Sequence, residues 1–145
     1  MKLSEIEELW ENDNKIDDVM LDTSSIDISK LHNKYYIILN QEKTIYSKFL
    51  LEKRTLHVDK FEYYGGNISE EKLKERNWLP FGEKILKSNI SMYIEADADM
   101  IKLDRYIEIQ SIKIEYLESI IKQINSRSFN IKNIIEWRKF TNGIV

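Results

Sequence analysis

The stretch from Ser29 to Tyr64 constrains this chain more than any other. It contains neither glycine nor proline. Its apolar residues Leu31, Tyr35, Ile38, Ile45, Phe49, Leu56 and Tyr63 keep a repeat of three and four, with Glu42, Glu52 and Asp59 as breaks. That is the period of one helix face, not the alternation of a strand. Ser29 is placed to cap its start, and Gly65–Gly66 supply a C-terminal stop. A helix over 29–66 is far longer than the globular mean, which predicts a bundle spine or a coiled-coil element.

The rest of the chain supports an all-α reading. Four glycines and one proline in 145 residues are too few turn formers for many short strands. The length suggests one domain, 1–145. In the acidic element 1–28, Ser4 and Glu7 have capping-box spacing ahead of Leu9 and Trp10, and "NDNKIDDVMLDTSS" reads as a break. The connecting region 67–96 offers a short exposed helix from Ser69 to Arg76, a loop at "NWLPFG" and a helix over Ile85–Ile94. Helices return over 97–145, with Asp97 or Asp99 as the cap. Leu103, Ile107, Gln110, Ile114, Leu117, Ile121 and Ile124 form one stripe, and Ile109, Ile112, Tyr116 and Ile120 form a second beside it. A helix apolar on two sides needs two partners, and in a chain this short the second is expected to be a neighbouring subunit. A further helix is expected from Ser128 or Asn130, ending at Gly143.

Several function classes find no support. Without cysteine there is no disulfide, thiolate nucleophile or thiolate metal site. There is no phosphate-binding glycine loop and no nucleophile-elbow or zinc-protease motif, so the chain reads as a non-enzyme without a cofactor. His32 and His57 lie too far apart along one helix to share a site within a subunit. Asp97, Asp99 and Asp104 could suggest a metal, but helix capping accounts for them more simply. No apolar run is long enough to span a membrane and no secretory signal is visible, so a cytoplasmic location is expected.

Charge is unevenly placed. The formal total is −3, yet Met1–Lys30 carries nine acids against three lysines, Lys43–Lys60 five cations against two acids, and Lys122–Lys139 five cations against Glu136 alone. Distribution, more than total, sets what a surface attracts. Lys53, Arg54, His57 and Lys60 fall within two turns of the long helix, with Tyr63 and Tyr64 one turn on. Arg127, Lys132, Arg138 and Lys139 stand near Phe129, Trp137 and Phe140. Cations that neutralise phosphate beside rings that stack on bases suit a nucleic acid. From the residues alone a solvated helix face with core aromatics is the preferred reading over a nucleic-acid surface, and a helical scaffold without nucleic-acid affinity stays open.

Three segments carry a resemblance: "EYYGG" at Glu62–Gly66, "ADADMIKLD" at Ala96–Asp104 and "SRSFNIKNIIEWRKF" at Ser126–Phe140. In this order they resemble the UvsY family of recombination mediators of T-even-like phages, most strongly from Lys87 onward. Asp97, Asp99, Lys102, Asp104, Ser126, Arg127, Phe129, Ile131, Lys132, Arg138 and Phe140 all fit that family's pattern. The resemblance implies single-stranded DNA binding, contact with the phage single-strand-binding protein, and loading of the RecA-like recombinase UvsX. It implies a ring-like homo-oligomer, hexamer or heptamer, in the cytoplasm of the infected bacterial host. It implies no cofactor, because ATP belongs to the recombinase. Lys53 and Arg54 match basic positions of the family's long helix. Lys60 matches the arginine of its K-A-R-L motif, whereas Val58 stands where that motif has lysine, a departure that bears on the strength of the patch. The expected DNA contacts are therefore Lys53, Arg54, Lys60, Arg127, Lys132, Arg138 and Lys139. The expected subunit interface is Ile114, Leu117, Ile121, Ile124, Phe129, Ile131, Ile134 and Ile135.

Overall fold

The computed structural model describes residues 1–17 and 19–143. Among them there are six α-helices and no strand: α1 (Leu3–Asp13), α2 (Leu21–Ile26), α3 (Ile28–Gly65), α4 (Glu70–Arg76), α5 (Ile90–Glu95) and α6 (Ala98–Thr141). A 3₁₀ turn, Lys87–Asn89, leads into α5. None of these helices is long and apolar enough to cross a membrane.

The chain divides into two compact units, one built from 1–43 and 112–145, the other from 44–111. In the first, α1 packs with the front of α3 and the rear of α6. Ile6, Trp10, Tyr35, Ile38, Leu39, Leu117, Ile120 and Ile124 are its buried core. Trp10 meets Tyr35 edge to face at 5.3 Å, a geometry that the ring quadrupoles favour. Glu42, which breaks the apolar repeat in sequence, is 2% exposed and pairs with Lys113 at 3.2 Å. A buried carboxylate needs such a partner, because burial disfavours its charge. The break is thus a buried polar rung of the same stripe.

In the second unit, Leu56, Ile90, Ile94, Met100 and Leu103 form the core, with Phe49, Tyr64, Trp78, Ile85 and Ile107 packed against it. The turn after α3 forms where the glycines stand: Gly66 has φ +76°, and the Asn67 N–H reaches back to the Glu62 carbonyl. Ser69 caps α4 by accepting from the Lys72 N–H. Asn77 closes α4 at φ 60°, a conformation asparagine tolerates better than most residues.

Five boundaries differ from the sequence expectation, the first being the helix expected over Ile85–Ile94, which is instead a 3₁₀ turn at Lys87–Asn89 followed by α5 from Ile90. Helix α1 is capped at Lys2 with Glu5, not at Ser4 with Glu7. The expected break contains α2, started by the Asp17 carboxylate accepting from the Val19 and Met20 N–H groups. Ser29 lies inside α3, which begins at Ile28. No separate C-terminal helix starts at Ser128 or Asn130, because α6 runs unbroken to Thr141. Ser126 does not cap; its hydroxyl bonds back to the Lys122 carbonyl, which keeps the backbone free to continue.

Candidate nucleic-acid interface

The second half of α3 carries the first basic set, and the structure divides it. Arg54 and His57 are exposed. Lys53 is half-exposed, with its ammonium 2.6 Å from Asp104, itself at the surface. An exposed pair of this kind is weak, so Lys53 remains able to meet another anion. Val58, at the position where the family motif has lysine, is 53% exposed. That motif position therefore faces solvent but carries no charge here.

Lys60 corrects the expectation. Its side chain is 5% exposed, with Asp97 at 3.0 Å and Asp99 at 2.8 Å. Its ammonium also lies 3.8 Å from the centroid of the Trp78 ring, within cation–π range. Asp99 is itself half-exposed, but the Lys60 ammonium is covered by Asp97 and Trp78, so Lys60 is not a free phosphate contact but the centre of a largely buried network. Burial pushes the Asp97 carboxyl up, yet the Tyr64 hydroxyl, the Lys60 ammonium and the Met100 N–H outweigh burial and hold it below its ordinary value. Asp97 also caps α6, accepting from the Asp99 and Met100 N–H groups at 2.9 and 3.1 Å. Next to it, Asp59 is 8% exposed and takes two bonds from Arg76, at 2.8 and 3.0 Å. The three aspartates weighed as metal ligands thus serve Lys60, Lys53 and the start of α6.

Trp78 has a role that the sequence did not suggest. The sequence places it in a loop, yet it packs on Lys60 and lies 5.2 Å from Tyr63, centroid to centroid. The one available signal was an indole set two residues after Arg76 and ahead of Pro80.

The C-terminal set belongs to the other compact unit and is divided in the same way. Arg127 is 9% exposed and donates to the Asp13 and Asn14 carbonyls, at 3.1 and 2.6 Å. It caps the C-terminus of α1, where a cation opposes the helix dipole. Burial pushes its guanidinium below the ordinary arginine value, while Asp13 and Tyr35 oppose that shift. Arg127 is therefore also removed from the free cations. Lys132, Arg138 and Lys139 are exposed.

The expected subunit interface needs the same revision. Leu117, Ile124 and Ile131 are buried within the chain's own fold. Ile114 and Ile121 pack against the core from partly buried positions, and Ile134 is half-buried. Phe129, at 64%, and Ile135, at 39%, stay exposed. The doubly apolar look of α6 has a simple cause: Ile120, from the second stripe, joins the first stripe in the core, while Ile109 and Ile112 remain 44% and 47% exposed.

The family model for "Recombination, repair and ssDNA binding protein UvsY" matches residues 9–144. The chain belongs to the UvsY family. It is 24% identical over 146 residues to the recombination protein uvsY of Enterobacteria phage T4, a match that covers 99% of each chain. Crystal structures of the bacteriophage T4 recombination mediator protein UvsY share the all-helical fold. In lattice type IV the TM-score is 0.83 at 21% identity, covering 97% of this chain and 99% of that one. In lattice type II it is 0.79 at 22% identity, covering 98% of both. This UvsY-family member is thus one of a group of recombination, repair and single-stranded-DNA-binding proteins, and it has that group's helical fold along nearly its whole length.

Proposed function

We propose that the chain is a recombination mediator. It binds single-stranded DNA and the phage single-strand-binding protein, and it promotes loading of a RecA-like recombinase filament. The observation that carries this reading is the family match over 9–144. Lys53 and Arg54 on α3 supply the leading phosphate contacts, with Lys132, Arg138 and Lys139 on α6 as a second set; Lys60 and Arg127 act from inside the fold. The chain has no catalytic role and no cofactor of its own, and its place of work is the cytoplasm of the infected host. It works as a ring-like homo-oligomer of six or seven copies. Exposed Ile109, Ile112, Phe129 and Ile135 offer apolar surface for that assembly. Repetition matters because two or three cations bind a strand weakly, whereas linked sites raise effective concentration without new contacts.

A loading assay tests the reading. Single strands are first covered with the phage single-strand-binding protein, then given recombinase and ATP. The chain is expected to shorten the lag before strand-dependent ATP hydrolysis begins. An unchanged lag, with DNA binding intact, would reduce the chain to a binding protein.

A further inference from the structure

The far end of α6 is built differently from the rest of that helix. Ile131 is its last buried residue, Ile134 is half-buried, and every residue from Ile135 to Thr141 is exposed. The chain nevertheless places two large rings there. Trp137 is 65% exposed and Phe140 75%. They lie one helical turn apart with centroids 5.8 Å apart and planes 29° from parallel. At 100° per residue, Phe129, Trp137 and Phe140 point away from the side that carries Ile124, Arg127 and Ile131 to the core. Their exposure is therefore not a core left unfinished. Lys132 and Lys139, seven residues apart, share one flank of this face, and Glu136 is the acid among them.

We propose that Trp137 and Phe140 form a stacking platform for bases of single-stranded DNA, with Lys132 and Lys139 holding the adjoining phosphates. The inference rests on the single-strand-binding reading above and assigns it a second, chemically distinct contact. Three observations favour a strand over a protein partner. The rings are nearly parallel and both exposed, the geometry on which consecutive bases stack without sequence preference. The flanking lysines are exposed and complement a polyanion. A helix that docks in a protein groove carries apolar anchors at every turn, whereas on this face the exposed Asn133 and Glu136 separate Phe129 from Trp137 and Phe140.

The test compares Trp137→Ala/Phe140→Ala with Lys132→Ala/Lys139→Ala in the full-length protein. Oligothymidylate is the probe, and light scattering and circular dichroism are followed in parallel. The aromatic variant is expected to lose roughly tenfold or more in affinity while the slope of log affinity against log salt stays as it was. The lysine variant should flatten that slope by about 1.4, or about 0.7 for each phosphate contact. Oligothymidylate should quench tryptophan emission in the wild type, and that quench should vanish in Trp137→Phe but persist in Trp78→Phe. Unchanged affinity in the aromatic variant would overturn the platform. So would loss of assembly mass together with binding, which would make this face a contact between copies. A wild type that binds no strand would instead defeat the single-strand-binding reading itself, and the platform with it.

Discussion

Two basic stretches of similar composition meet opposite fates. Around Lys60, charges that read as a surface are drawn inward: Lys60, Asp97, Asp59 and Arg76 satisfy one another beneath Trp78 and Tyr64. Along the end of α6, Lys132 and Lys139 stay in water beside two uncovered rings. The difference lies in what each helix segment faces. The rear of α3 lies against the start of α6, which brings Asp97 and Asp99 within reach, and against the loop after α4, which brings Trp78. The residues of α6 from Ile135 to Thr141 are exposed. Cation density in sequence therefore does not identify a nucleic-acid surface; it must be sorted by whether each cation is buried against groups of its own fold, as Lys60 and Arg127 are, or stays at the surface, as Lys53 does.

The strongest way to break this comparison is Lys60→Ala. Asp97 would remain buried without its cation, a change that costs about 3 kcal/mol or more. The melting temperature should fall by roughly 10 °C. A variant as stable as the wild type would return Lys60 to the surface. Arg127→Ala is expected to cost about 2 kcal/mol, since it removes two charge-assisted bonds to carbonyls at the end of α1. Hydrogen exchange should quicken in α1 first, and Arg127→Lys should rescue little because lysine lacks the planar fork. Equal protection of α1 in the variant and the wild type would refute the clamp.

Acid provides a milder probe of the same network. The Asp97 carboxyl sits below its ordinary value in the fold, whereas the unfolded chain binds its proton near pH 3.9. Its contribution is thus present above about pH 4 and is lost as pH falls through the lower, folded value. The stability of Asp97→Asn should vary less with pH across that window than that of the wild type. Parallel curves would show that Asp97 is not the group being read.

Much of the fold was legible because helices announce themselves locally. The 3–4 repeat gave α3, the glycine pair gave its end, and Ser69 and Asp97 cap the helices they precede. The continuity of α6 was less visible. Ser126, Ser128 and Asn130 are ordinary cap formers, and only packing of Arg127 and Ile131 on the same side as Ile124 carries the helix through them. Burial of charge was not legible at all. Glu42 finds Lys113, Asp59 finds Arg76, and Lys60 finds Asp97, each across a loop or from another helix. Periodicity shows which face a residue occupies but not what waits opposite. That is why the candidate site was read with Lys60 and Arg127 in it, and why Trp78 was missed.

The most direct test is the salt dependence of oligothymidylate binding in two variants, of which only the first is expected to leave stability nearly unchanged. Lys53→Ala/Arg54→Ala removes exposed cations and replaces them with the best helix former. Lys60→Met keeps the buried stem and removes the charge. If the exposed pair holds the strand and Lys60 holds the fold, the slope of log affinity against log salt should flatten by about 1.4 in the first variant and stay unchanged in the second. A slope that flattens by about 0.7 in a folded Lys60→Met, or does not move in Lys53→Ala/Arg54→Ala, would contradict this division of labour.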